Sequence, residues 1–401
     1  MTQPVPVPLH AHPLRIALCS GRLGEGGIGM VMLNLAGGLQ QLGHEVDLLH
    51  FTEAPGAMAG RAPPPGCRAV RIGARSRQAL PGLLRYLRAA RPDLVITARD
   101  YIHVMMLAAR RLSGLGMQAP ALIWSFHTHR ASELAHQAGR ADRLADALMR
   151  RQLNRVEGLV AVSDGVAAGL VQDLGLPPGR LATIPNPVWT ASRRAARLGP
   201  CPHPWLEGRA PLARPFADAG GPEGGGPVLL AVGRLAPQKD FATLIAALAL
   251  VPQARLIVLG EGPGRAALEG QVTSAGLGSR IDLAGHVPDV LPYLARADLF
   301  VMSSRWEGFP LALVEAMGCG APVVSTDCPA GPDEILQGGR LGRLVDPGNP
   351  AALAEGIRAA LADPGNGAAA LEAALGFDDR LAAGRYLALG RQALAVRRGR
   401  A

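Results

Sequence analysis

The chain has 401 residues, more than one hydrophobic core usually organises, so two domains of roughly 150–200 residues each are expected. With 48% hydrophobic and 18% charged residues it is not an intrinsically disordered chain, and no apolar run reaches the roughly 18–20 residues of a membrane-spanning helix. The formal charge of +9 favours anionic partners, but only 4% of residues are aromatic and no interleaved basic and aromatic platform is visible, so nucleic acid is not expected as a partner.

Residues 1–13, MTQPVPVPLHAHP, lack the charged and apolar regions of a signal peptide and read as a flexible tail, which predicts a cytoplasmic protein. Short apolar runs then alternate with longer amphipathic ones, the pattern of repeated strand and helix units around a parallel sheet. Strands are expected at Leu14–Ser20, Glu45–Phe51, Cys67–Ile72, Asp93–Thr97, Ala121–Phe126, Gly158–Val162 and Leu181–Ile184, giving an N-terminal domain over 14–189. Residues 190–226, crowded with Pro, Gly, Arg and Ala, read as a linker. Alternation resumes with Val228–Val232, Arg255–Leu259, Arg280–Ala284, Asp298–Met302, Pro322–Ser325 and Arg343–Val345, a second doubly wound domain over 227–376. Residues 377–401 read as one helix followed by a basic tail, able to pack on either domain. The five cysteines are scattered, with no C-x-x-C pair, and read as reduced thiols.

After the first strand comes Gly24-Glu25-Gly26-Gly27-Ile28-Gly29, followed by a helical pattern over Met30–Leu42. Glycines at a helix N-terminus let a phosphate approach free N–H groups, although the same spacing also fits a plain tight turn. It is formally a dinucleotide fingerprint too, but the second strand ends at His50-Phe51 and not at the carboxylate that would hold a ribose. In the second half, Glu307-Gly308-Phe309-Pro310-Leu311-Ala312-Leu313-Val314-Glu315 joins a strand to a helix starting near Pro310. Backbone amides around Phe309, Pro310 and Leu311 then face the carboxyl end of a strand, where open α/β sheets bind ligands, and Glu315 lies one turn further on, within reach of a sugar hydroxyl. Each glutamate taken alone reads as a solvated surface charge.

The two glutamates are separated by seven residues within SSRWEGFPLALVEAMGCGAPVVSTD, and as a block this resembles the retaining GT-B glycosyltransferases that include sucrose synthase and bacterial lipopolysaccharide mannosyltransferases. The resemblance covers nearly the whole chain. It implies two facing Rossmann-like domains with an interdomain cleft. Donor phosphates would approach Gly26 and Gly27, and Arg234 and Lys239 of Val232-Gly233-Arg234-Leu235-Ala236-Pro237-Gln238-Lys239 would clamp the diphosphate. Glu307 falls on the family's catalytic glutamate, and His127 of Ser125-Phe126-His127-Thr128 on a histidine near the donor sugar, which either bonds the sugar or steadies positive charge. His129 and Arg130 would face the acceptor, and His286 and Val287 would flank the base.

The implied reaction is transfer of a hexose or N-acetylhexosamine, most readily from a UDP-sugar, to a glycan or lipid-linked acceptor with retention, in bacterial surface polysaccharide synthesis. No Asp-x-Asp occurs, so no metal and no other cofactor is expected. Where many members carry G-G-x-P-E, this chain has Cys328-Pro329-Ala330-Gly331-Pro332-Asp333-Glu334-Ile335. That form resembles the branch acting on surface glycans. Three rivals are a nucleotide-sugar 2-epimerase of the same fold, a nicotinamide oxidoreductase and a non-catalytic nucleotide-sugar-binding protein. Residues 139–155, a basic amphipathic pattern, read either as an ordinary domain helix with a solvated arginine face or as a surface resting on an anionic membrane.

Overall fold

The computed structural model describes residues 12–21, 26–51, 62–73, 79–136, 139–177, 179–211 and 226–399. The N-terminal tail up to residue 11, residues 22–25 of the glycine-rich loop, residues 212–225 of the expected linker and the last two residues of the basic tail lie outside them. Among the described residues the chain divides into two compact units, 1–188 with 378–401, and 189–377.

In the first unit, seven strands form a parallel sheet in the order β3-β2-β1-β4-β5-β6-β7. They are β1 (Arg15–Gly21), β2 (Glu45–His50), β3 (Cys67–Arg71), β4 (Leu94–Thr97), β5 (Ala121–Phe126), β6 (Gly158–Ala161) and β7 (Ala182–Thr183). The central strands β1, β4 and β5 are near-continuous apolar runs because helices cover both faces of the sheet, which leaves no solvated face for polar alternation. Edge strand β3, Cys67-Arg68-Ala69-Val70-Arg71, is largely exposed and carries the charges expected of a protected edge.

Helix Gly26–Gln41 is buried along most of its length. Its mid-helix glycines have a packing reason that outweighs their helix penalty of about 1 kcal/mol each. A Cβ on Gly38 would lie 2.3 Å from the Asp379 carbonyl oxygen, so only glycine lets the C-terminal helix Asp379–Gly399 lie against it. That helix belongs to the first unit, where Tyr386 is fully buried and shares a 2.8 Å hydrogen bond with Ser125 on β5. Arg397, Arg398 and Gly399, read from sequence as part of a tail, continue the helix.

The second unit has a six-stranded parallel sheet, β10-β9-β8-β11-β12-β13. Its strands are β8 (Val228–Val232), β9 (Arg255–Leu259), β10 (Ile281–Gly285), β11 (Leu299–Met302), β12 (Val323–Thr326) and β13 (Arg343–Val345). Its core gathers Leu229, Ala231, Leu244, Leu256, Val258, Leu299, Val301, Val324 and Ile357. The described part of the expected linker is structured: helix Ala191–Ala196, N-capped by the Thr190 hydroxyl, belongs to this unit. Beside it the fully buried Trp189 packs on Gly318, where a Cβ would sit 2.1 Å from the indole. Gly318→Ala is therefore expected to destabilise the protein by about 1–3 kcal/mol through overpacking. Urea unfolding of the full chain measures this, and an unchanged midpoint would contradict the packing described.

Candidate active site

In each sheet the chain order reverses once, between β1 and β4 in the first unit and between β8 and β11 in the second. Loops leaving the carboxyl ends of such a pair diverge to opposite faces and open a crevice, the usual ligand position in open α/β folds. The residues singled out from sequence cluster at these two points: Gly26 and Gly27 follow β1, Arg234 and Lys239 follow β8, and Glu307 follows β11.

In the second unit, the turn Pro237–Lys239 and the loop after β11 are laced together. The Ser303 hydroxyl donates to the Lys239 carbonyl (2.8 Å), the Arg305 N–H to the Gln238 carbonyl (2.8 Å), and the Gln238 amide to the Trp306 carbonyl (2.9 Å). Asp240, in a left-handed conformation at φ 45°, accepts from Thr243 (2.8 Å) and Arg305 (2.9 Å), which fixes where the lysine leaves the backbone. The Lys239 ammonium then lies 2.5 Å from Glu307 Oε1, and the Ser304 hydroxyl donates to the same oxygen at 2.6 Å. Glu307 is only 5% exposed, and its own N–H is held by the Pro329 carbonyl (3.2 Å) on the loop after β12. Gly331 closes that loop onto Pro310, whose Cδ would be 2.5 Å from a Cβ there.

Glycines around Lys239 serve close approach. Its methylenes ride over Gly233, and the loop Gly260-Glu261-Gly262 nests against the backbone of Gly233 and Leu235 so tightly that a Cβ on Gly262 would be 2.5 Å from the Leu235 carbonyl oxygen. Arg234 stays exposed at the same loop, while Pro310 N-caps helix Leu311–Gly318. Phe309 turns its ring inward, 5.2 Å from that of Phe377, so its remaining offer to a ligand is backbone. His286, exposed, and Val287, half-buried, follow β10 at the sheet edge, separated from β8 by β9.

Glu315, 8% exposed, is held by an ion pair with Arg193, and Arg197 donates to the Gly318 carbonyl (3.0 Å). Sequence reasoning missed Arg193. It lies in the segment read as linker, and nothing local marks it as a partner of a helix more than a hundred residues further on.

In the first unit, Gly26 and Gly27 form the first turn of helix Gly26–Gln41, four residues earlier than the sequence pattern suggested. Gly26 has φ 65° with open space around it, so conformation rather than crowding calls for glycine there. His127 follows β5 and lines a cavity of about 210 Å³ together with Ile28, Arg99, Asp100, Tyr101 and Arg130. Neither ring nitrogen has a hydrogen-bond partner among the described residues; Asn186 lies near the ring but outside hydrogen-bonding geometry. Burial, with His103 and Arg99 nearby, pushes its pKa down to about 3. Of the two roles read for His127, the hydrogen-bonding one fits this environment. A neutral ring offers one donor and one acceptor, the complement of a hydroxyl. Arg130, buried, is engaged by Asp100 and Asp146, and His129 bonds to Ser132 (2.9 Å).

The sequence reading also passed over His103, which stacks on Trp124 at 5.0 Å and shares a 2.6 Å hydrogen bond with Thr97. Burial lowers its pKa to about 3 as well. Both rings fold neutral, so protons bind the unfolded chain more tightly below its ordinary value of 6.5. Their stabilising contribution is complete above that pH and is lost as pH falls towards 3, at up to about 1.4 kcal/mol per pH unit for each ring. NMR of the imidazole protons should show neither residue titrating between pH 5 and 8; a midpoint near 6.5 for His127 would contradict the burial described.

Two family models cover the chain: "Glycosyltransferase Family 4" matches residues 25–192 and "Glycosyl transferases group 1" matches residues 216–375. The protein belongs to this glycosyltransferase family, and its fold is GT-B, two Rossmann-like units. A lipopolysaccharide core biosynthesis glycosyltransferase of Rhizobium meliloti is 38% identical over 131 residues, which span 33% of this chain and 38% of that protein. Sucrose-phosphate synthase from Thermosynechococcus elongatus superposes with a TM-score of 0.74 at 22% identity, over 95% of this chain and 100% of that one. The Anabaena protein HepE in complex with UDP-glucose gives 0.70 at 20% identity, over 93% and 98%.

Proposed function

We propose that the protein transfers a hexose or N-acetylhexosamine from a UDP-sugar to a glycan or lipid-linked acceptor of a bacterial surface polysaccharide, with retention and without a metal ion. The observation that carries this reading is the Lys239–Glu307 pair, brought together across the chain-order reversal of the second unit and held by backbone contacts on both sides. Lys239, with Arg234 on the same loop, supplies positive charge where a diphosphate leaving group gains negative charge. Support for UDP as the carrier comes from the UDP-glucose held by the Anabaena protein, and for surface glycans from the lipopolysaccharide role named for the Rhizobium relative.

In the proposed step the bond from the anomeric carbon to the diphosphate oxygen breaks, and the acceptor oxygen bonds to the same face of that carbon. The acceptor proton passes to the departing diphosphate. Neutral His127 holds a sugar hydroxyl, and Gly26 and Gly27 offer first-turn helix N–H groups to the phosphates. The helix Arg140–Arg150, with Leu144 62% exposed and Leu148 37% exposed beside arginines, fits a peripheral contact with an anionic membrane that carries a lipid-linked acceptor. Among the described residues no helix is long and apolar enough to cross a membrane.

The test is a panel of UDP-sugars offered with glycan and lipid-linked acceptors in the presence of EDTA, with the anomeric configuration of the product read by NMR. Retention at undiminished rate is expected. Inversion, activity recovered only on adding magnesium, or a trapped glycosyl-enzyme adduct would each overturn the corresponding part of the reading.

A further inference from the structure

The positive charge of this protein is concentrated in one segment. Residues 54–92 contain eight arginines and no carboxylate, and the rest of the chain balances to within one charge. The described part of that segment folds as edge strand β3 and helix Ala79–Ala90, with a trough of about 880 Å³ against them.

The trough is a built feature. Ala69, Gly73, Gly82, Ala89 and Ala90 line it with little side-chain bulk, and Arg15, Arg68, Arg71 and Arg85 also line it. Gly82 lets the helix seat on the strand end, since a Cβ there would lie 1.7 Å from the Ile72 carbonyl oxygen. Behind the trough, Asp47 (4% exposed) takes two hydrogen bonds from Arg68 (2.8 and 2.9 Å), one from Arg15 (3.3 Å) and one from the Tyr86 hydroxyl (2.7 Å). This buried carboxylate orients two of the guanidinium groups, those of Arg15 and Arg68. Planar, fixed guanidinium groups suit carboxylates and phosphodiesters in succession.

We infer that this trough is a docking site for an anionic polysaccharide strand, separate from the nucleotide site. A membrane surface fits it poorly, because the trough is concave and, among the described residues, none of the large exposed apolar side chains, such as Leu112, Met117, Leu144 and Leu148, lines it. A single-stranded nucleic acid fits poorly too, since among the described residues the aromatic side chain in its lining, Tyr86, is buried and bonded to Asp47 and presents no open ring for a base to stack on. The site lets the enzyme hold an acidic acceptor or product chain while the reacting end is exchanged.

The test uses the full-length protein and Arg71→Ala/Arg85→Ala, which spares the arginines that neutralise Asp47. Fluorescence anisotropy follows binding of labelled oligogalacturonate, a glycerol-phosphate oligomer and neutral maltooligosaccharide of equal length, with phosphatidylglycerol vesicles and single-stranded DNA as competitors. UDP binding in the same samples reports folding and the nucleotide site separately. At least one acidic oligomer is expected to bind the wild type, with the carboxylate and phosphate arms telling the two chemistries apart, and the double variant is expected to bind it at least tenfold more weakly with UDP affinity unchanged. Equal binding of the neutral oligomer, equal binding by the double variant, or vesicles or DNA outcompeting both acidic oligomers at equal charge would overturn the proposal.

Discussion

Lys239→Ala is expected to weaken UDP binding by about 1–3 kcal/mol, the loss of one charge-assisted contact to a phosphate oxygen, or roughly 5- to 150-fold in Kd. The same substitution leaves Glu307 buried with, among the described residues, the Ser304 hydroxyl as its remaining side-chain partner, so stability should fall as well, by about 1–3 kcal/mol. The two effects separate in Lys239→Met/Glu307→Gln, where neither charge is left unpaired. Stability should return towards wild type while UDP affinity stays low. If that double variant binds UDP as the wild type does, Lys239 serves only the internal ion pair and the diphosphate assignment is wrong.

Glu307→Gln carries the second large effect. The amide keeps the shape and can still accept from Ser304, but it removes the counter-charge of Lys239 and, on the proposed reading, a fixed negative charge beside the reacting sugar. Transfer rate should drop on the order of 100- to 1000-fold, the scale of removing one fixed electrostatic group from an active site. UDP affinity should be retained or increased, because Lys239 no longer divides its charge between a carboxylate and a phosphate. Steady-state kinetics with calorimetry on the same variant reads both. A parallel fall of rate and UDP affinity would make Glu307 a structural residue of the loop.

The strands were legible because a parallel sheet covered on both faces demands unbroken apolar runs, as in Leu14–Ser20 against the observed Arg15–Gly21. Helix starts were less so. Gly26 and Gly27 read as loop, yet they form a first helical turn, since a left-handed φ at Gly26 is compatible with entering a helix. Contacts made over long separations left no local trace. Nothing in Gly37-Gly38 announces that Asp379 lies against it, and nothing in Ala191–Ala196 announces that Arg193 meets Glu315. Lys239 and Glu307 were each marked by their motif blocks, but their pairing follows from strand order: β8 and β11 are neighbours in the sheet though two strands lie between them in the chain. His103 passed unnoticed because a buried, stacked histidine looks in sequence like any other helix residue.

Calorimetric titration of UDP and of GDP into wild-type protein in EDTA asks whether the loops around Lys239 and Glu307 form a donor site. UDP is expected to bind at micromolar to sub-millimolar strength, more tightly than GDP, with little change on adding magnesium. If neither nucleotide binds, with or without magnesium, the loops around Lys239 and Glu307 are an inherited fold without a donor site.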